Sequence, residues 1–292
     1  MKTTTANSSP RGFTLVELLV VITIIAMLAA VALGALAKTR EAAKLAATKA
    51  TVAKLNDIVM RRYESYMIRR VPISLTGLSP KQAAEVRLDA IRDLMRMEMP
   101  ERFPDITNPP KKLPHVNRAL AQPSLQRIYQ TRIGAKSPGD HAGAKCLYLW
   151  VTTSMPEAKG MFTAAEIGEP DGDGLKMFLD GWGKPINFLR WAPGFSDDSN
   201  IQVKDPTLGP NGHHDPFDPR NIDPQGYQLF PLIYAGVVGQ DSSGFDQYGI
   251  DAGVAGGVKD TFTPCTDRAN VGQRSSTNGG VPLVTNHNME QK

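Results

Sequence analysis

Only two cysteines, Cys146 and Cys265, occur in 292 residues. They lack a CxxC spacing and a histidine partner, which argues against thiol redox catalysis and cysteine-rich zinc modules. No GxSxG, P-loop or glycine-rich dinucleotide signature is present, so nothing designates a nucleophile or a phosphate cradle. HExxH is missing too. His213, His214, Asp215 and Asp218 lie in HHDPFDP, where adjacent side chains diverge instead of sharing a helical face. They read as surface polar residues, with a metal site as the lesser alternative. The net charge is only +4 and no dense Lys/Arg block accompanies it, so a dedicated nucleic-acid binder is disfavoured. Aromatics are sparse while Gly and Pro number 26 and 22, which predicts a loop-rich body.

What the chain does have is FTLVELLVVITIIAMLAAVALGALA, an apolar run from Phe13 to Ala37 broken by one charge, Glu17. As a helix it reaches roughly 38 Å, enough to cross a hydrocarbon core of about 30 Å. A carboxylate at membrane depth is costly and usually has a partner or a function. Two plainer readings compete. One is a signal anchor that tolerates an acid near its edge. The other is a cleaved secretory signal ending at Ala30-Val31-Ala32, but the run before that point is longer than the roughly 7–15 residues such a region needs.

The heptapeptide RGFTLVE, Arg11 to Glu17, and the run after it resemble the processing site of type IV prepilins and type II secretion pseudopilins. The resemblance is close over about the first 50 residues. It implies that Gly12 ends a short basic leader and that Phe13 becomes an N-methylated mature terminus. Glu17 would then face the α-amino group of Phe13 on a neighbouring subunit, each charge offsetting the other's desolvation. The implied partners are homologous pilin or pseudopilin subunits, a prepilin peptidase/N-methyltransferase, an inner-membrane assembly platform and membrane lipid. Nucleic acid is not expected as a partner. Lys38, Arg40, Lys44, Lys49 and Lys54 outnumber Lys2 and Arg11 across the run, and charge alone would leave the body in the cytoplasm. The resemblance implies a single-pass protein of the bacterial inner membrane with its body in the periplasm or at the cell surface, and its motif is more specific than a charge count.

The expected fold is α+β and pilin-like: a long N-terminal helix packed on a small antiparallel sheet, with extra helices and long loops. Its parts are a leader (1–12), a transmembrane half-helix (13–37), an amphipathic half-helix (38–70), a helical insertion (71–168) and a β-rich, loop-rich remainder (169–292). From Lys38 to Arg70 there is no Pro or Gly, and Leu45, Val52, Leu55, Val59, Tyr63 and Tyr66 recur at helical spacing. Leu78 to Met99 reads as a helix with Ser79 as cap, Pro80 in its first turn and Gln82 at the capping-box position. Arg118 to Ile133 is another candidate helix, and Lys159 to Gly168 a short one. KCLYLWVTT, residues 145–153, suits a strand or a buried helical turn, and periodicity leaves the two open.

DGWGKPINFLRW, residues 180–191, resembles a D-x-W-G-x-P segment of major pseudopilins. Trp182 is expected to seal the small core, with Gly183 and Pro185 setting a turn into a strand on which Arg190 interrupts an apolar face. Gln228 to Val238 reads as a strand that Pro231 confines to an edge or a bulge.

AGVVGQDSSGFDQYGID, residues 235–251, resembles the calcium loop of the same class, although Tyr234 replaces the usual small hydroxyl residue. Asp241, Ser243, Asp246 and Asp251 are the candidate Ca²⁺ ligands, and a polar turn is the alternative. EPDGDGLKMFLD, residues 169–180, superficially fits a calcium loop, but it lacks the terminal Glu and carries Lys176; an Asx turn is favoured. Outside the cytoplasm, Cys146 and Cys265 would suit one long-range disulfide, two separate buried thiols being the other reading. Arg61, Arg62, Arg69 and Arg70, interleaved with Tyr63 and Tyr66, form a basic-aromatic patch better explained by stalk packing than by phosphate contact.

The expected role is that of a non-enzymatic filament subunit. The alternatives are a membrane-anchored surface protein binding cargo, glycan or nucleic acid, and, with least support, an anchored metal-dependent hydrolase.

Overall fold

The computed structural model describes residues 14–111, 113, 120–136, 141–192, 217–220, 230–235 and 284–285. The fold is α+β: a long N-terminal helix, further helices and small antiparallel sheets. The chain divides into two units, residues 1–45 and 46–292.

In the first unit the described residues belong almost entirely to α1 (Leu15–Ser65). Every side chain from Thr14 to Ala43 is exposed, so no described part of the chain covers this apolar surface. The hydroxyls of Thr23 and Thr39 donate to the carbonyls of Val20 and Ala35 at 2.8 and 2.9 Å. Their polarity is thereby satisfied within the helix, as a lipid surrounding requires.

In the second unit, α1 buries Thr48, Thr51, Val52, Leu55, Ile58, Val59 and Tyr63, the face expected from the spacing. The helix ends at Ser65, five residues before Arg70, because the chain tightens into i→i−3 bonds from Tyr66 N–H to Tyr63 O and from Met67 N–H to Glu64 O. That turn carries Tyr66 and Arg69 onto one carboxylate, Glu98. Glu98 accepts from Tyr66 Oη at 2.7 Å, from Arg62 at 2.6 Å and from both terminal nitrogens of Arg69.

Glu98 closes α2 (Pro80–Glu98), which begins as predicted with a reciprocal Ser79/Gln82 capping box. α3 (Phe103–Thr107) follows, and its carbonyls at Asp105 and Ile106 accept from the buried Gln126 amide of α4 (Ser124–Ile133). α4 starts after Pro123, later than the predicted Arg118, since residues 120–123 are non-helical. The ambiguous 145–153 segment is helical, within α5 (Ala142–Ser154). Cys146, Leu147, Trp150 and Val151 are buried at helical spacing there, and Trp150 packs on Phe188 at 5.7 Å. Gly143 lets α5 approach closely, because a Cβ there would stand 3.1 Å from the Phe188 carbonyl.

The expected helix over 159–168 is instead two 3₁₀ turns, Pro156–Met161 and Ala164–Glu166, leading into β1 (Ile167–Gly168). β1 pairs with β2 (Met177–Phe178). A second sheet has the order β3 (Asn187–Ala192), β4 (Phe230–Ala235), β5 (Val284–Thr285), all antiparallel. β4 lies between β3 and β5 but meets β5 only at Tyr234 and Ala235, and a register shift between Leu189 and Ala192 of β3 falls opposite Pro231, so the proline stands at a bulge, one of the two places expected.

That irregularity turns Arg190 inward. Its backbone N–H donates to Glu101 Oε2 at 2.8 Å instead of entering the ladder. The guanidinium, fully buried, reaches Met99 O at 2.7 Å, Asp105 at 3.2 Å and Glu101 at 3.4 Å. Burial alone would push the Asp105 carboxyl up, but Arg190, Arg102 and Arg96 outweigh it and hold it low. The expected apolar face thus carries the central ion pair of the body.

Asp93, buried on α2, is placed differently. Burial pushes its carboxyl up to about 6, opposed by Arg96 and Arg190 and reinforced by Asp89. Its folded-state value exceeds the unfolded one, so its ionisation increasingly destabilises the fold as pH rises from the ordinary Asp range through 6. Asp93→Asn should raise the melting temperature at pH 7, by roughly 1–2 kcal/mol of stability after loss of the Arg96 pair, and flatten the profile between about pH 4 and 6. Thermal melts of both proteins across that range check this. An unchanged slope would contradict it.

Candidate assembly segment

TLVE has the form of a capping box placed immediately before an apolar run. The structure forms it. Thr14 N–H and Thr14 Oγ1 both donate to Glu17 Oε2 at 2.8 Å, and Glu17 N–H donates to Thr14 Oγ1 at 3.2 Å. The carboxylate therefore satisfies donors at the open end of α1, where the helix dipole also favours negative charge. Thr14 is the residue whose role the sequence reading missed, although the T-x-x-E spacing carried the signal.

Glu17 thus has a partner inside its own chain, which makes its place in the apolar run tolerable before any second subunit arrives. A capping contact of this kind contributes about 0.5–2 kcal/mol. A full positive charge is a stronger partner only where the carboxylate is already held out of water, because otherwise the desolvation of both charges offsets their attraction. The arrangement permits an exchange of partners: the carboxylate can leave its own cap for a cation in the same apolar surrounding.

Gly12 and Phe13 lie outside the described residues, as do Asp241, Ser243, Asp246 and Asp251, the candidate calcium ligands, and His213, His214 and Asp215. Asp218 is described and is buried, contrary to the surface reading, in a short segment whose Phe217 packs edge-on against Tyr63 at 5.0 Å. Among the described residues no group of three or more His, Cys, Asp or Glu is placed to hold a metal. Cys146 is wholly buried, and burial together with Asp105 and Glu101 pushes its thiol well up. Cys265 lies outside the described residues.

Trp182 does not seal the core. It is 41% exposed, and the turn that carries it is organised by Asp180, whose Oδ1 accepts the N–H groups of Trp182 and Lys184, both at 2.8 Å. Gly183, at φ +75°, takes the position a side chain would strain. Ile186 and Phe188, both buried, are the side chains of this segment that enter the core.

Two members of the basic-aromatic patch are committed internally, Arg62 and Arg69 being clamped on Glu98 with Tyr66 between them. Tyr63 and Tyr66 are buried. The stalk-packing reading holds for these four residues.

The second half of α1 is tied to the body by Glu166. Its carboxylate lies 2.6 Å from Thr51 Oγ1 and 2.9 Å from Lys54 Nζ while also capping Thr163. Burial opposes ionisation there, but these hydrogen bonds bring the carboxyl down to about 2. Its contribution to stability is present above the ordinary Glu value and is lost as pH falls toward 2.

Residues 7–33 match the family model described as the prokaryotic N-terminal methylation motif. No curated protein and no solved structure matches the chain. The match brackets the capping box and most of the exposed apolar run. It marks this N-terminus as type IV pilin-like.

Proposed function

We propose that this protein is a structural subunit of a type II secretion or type IV pilus-like filament. In this reading its precursor is cut after Gly12 and methylated at Phe13 by a prepilin peptidase, and the mature chain is held in the inner membrane by α1 until it assembles with like subunits. The carrying observation is the coincidence of the methylation motif with the apolar first part of α1, in which every side chain from Leu15 to Ala43 is exposed. An uncovered apolar helix demands lipid or other helices. A filament supplies the second after the membrane has supplied the first.

Cleavage creates the new cation that the candidate mechanism requires. The Phe13 α-amino group would lie one residue before Thr14, beside the helix end that Glu17 caps. On a neighbouring subunit, that ammonium competes with Thr14 for the carboxylate and fixes the axial register between helices. Secretion of cargo and extension of a surface fibre are both compatible uses of such a polymer, and the body faces the periplasm or cell surface in either.

Mass spectrometry of the membrane-extracted protein tests the reading. The expected mature chain begins at N-methylated Phe13. An intact leader, or a start near Leu33, would reject it.

A further inference from the structure

The apolar run of α1 ends at Ala37, and the next stretch, KTREAAK from Lys38 to Lys44, carries three cations and one acid. Lys38, Arg40 and Glu41 are exposed, and the Lys44 side chain is 42% exposed. Lys44 Nζ pairs with Glu41 Oε1 at 3.1 Å, whereas neither Lys38 nor Arg40 forms an ion pair among the described residues. The hydroxyl between them, Thr39 Oγ1, is turned back onto Ala35 O at 2.9 Å. The whole stretch is helical. Arg40 and Lys44 therefore stand roughly 200° and 240° round the axis from Lys38, and the three cations span about 9 Å along it. They ring the helix instead of forming a stripe.

A stripe would suit one neighbouring helix, but a ring has to be met from several sides at once. Lipid headgroups do that. The polar layer on each side of a bilayer is roughly 5–8 Å thick, close to the height of the ring. The long stems of lysine and arginine can lie along apolar surface while their charged ends reach the phosphates. Three cations less one carboxylate leave a net charge of +2, which favours headgroups with a full negative charge over zwitterionic ones.

We propose that Lys38, Arg40 and Lys44 form a collar that binds anionic phospholipid headgroups in the leaflet the body faces, and so sets the depth at which α1 sits. The inference rests on the membrane-held state of the proposed function, not on the filament or on which side of the membrane carries the body. It gives a physical use to the charges that outnumber Lys2 and Arg11 across the run.

The test reconstitutes the full-length protein in phosphatidylcholine vesicles and uses electron paramagnetic resonance to compare how spin-labelled phosphatidylglycerol and spin-labelled phosphatidylcholine associate with its boundary. The measurement is made at about 10 mM salt, where the Debye length is about 30 Å. The expected preference for phosphatidylglycerol is roughly three- to fivefold, about the factor one cation supplies near an anionic surface, because boundary lipids of the other leaflet dilute it. It should fall to near unity in Lys38→Gln/Arg40→Gln/Lys44→Gln, and in the unaltered protein at about 1 M salt. Glu41→Gln, which removes the acid paired with Lys44, should raise it. Lys81→Gln/Arg127→Gln/Lys159→Gln removes the same charge from exposed positions on the body and should leave it unchanged.

A ratio near unity for the inserted parent protein would overturn the collar and leave the membrane reading intact. Failure to insert, seen as no motionally restricted component from either label, would overturn both. Equal losses in the two triple variants would assign the preference to net charge. An unchanged ratio in a collar variant that loses filament content would assign these cations to a neighbouring subunit. Either of these last two results also overturns the proposal.

Discussion

Arg190→Ala is expected to destabilise the body by roughly 3–5 kcal/mol, the cost of leaving buried carboxylates without their counter-ion. Glu101 and Asp105 are 7% and 0% exposed, and they face the Arg190 guanidinium from the turn after α2 and from α3. Removing the arginine also strips a donor from the Met99 carbonyl. Arg96 and Arg102 approach Asp105 only at 3.5 and 3.8 Å, too far to replace a direct hydrogen bond. Arg190→Met combined with Glu101→Gln and Asp105→Asn should recover much of the loss, because the penalty lies in unpaired charge more than in lost attraction. Denaturant unfolding of the parent, Arg190→Ala and the triple variant measures this. If Arg190→Ala alone proved as stable as the parent, the buried pair would carry none of the weight assigned to it.

Glu17→Ala should leave membrane insertion intact and abolish incorporation into filaments. Loss of the cap costs the helix end only about 0.5–2 kcal/mol, too little to prevent a 51-residue helix from forming. In the proposed assembly, loss of the negative charge would leave the neighbour's α-amino group without its partner. Glu17→Gln separates the two effects, since its amide oxygen can still accept from Thr14 N–H while the charge is gone. The expected order is parent far above both variants, with Gln no better than Ala. Filament content in sheared or cross-linked membranes provides the measurement. Full incorporation of Glu17→Gln would show that the cap, not the charge, is what assembly uses; full incorporation of Glu17→Ala would remove Glu17 from the mechanism altogether.

The parts legible in the sequence were those coded by neighbours along the chain. The α1 face was visible because Val52, Leu55, Val59 and Tyr63 repeat at helical spacing. The start of α2 was visible because a capping box needs only Ser79 and Gln82. The Asp180–Lys184 turn was legible for the same reason, but where its tryptophan points was not, because burial depends on what the turn packs against. Arg190 was read as an interruption of an apolar face. Its acids lie 89 and 85 positions away, and no local pattern announces such a pairing. Lys145 opens an otherwise apolar segment, and only the fold brings Asp171 and Asp173, 26 and 28 positions on, to it. Thr14 is a different case, a local signal overlooked because Glu17 was considered only as a charge.

The ties between the second half of α1 and the rest of the body form a series along the helix: Gly181 N–H on Thr48, Glu166 on Thr51 and Lys54, then Glu98 on Arg62 and, just past the helix end, Arg69. Tension applied parallel to that axis would load these ties in shear, all at once, whereas a sideways peel would meet them one after another. The rupture force should therefore depend strongly on pulling direction, greatest along the axis of α1.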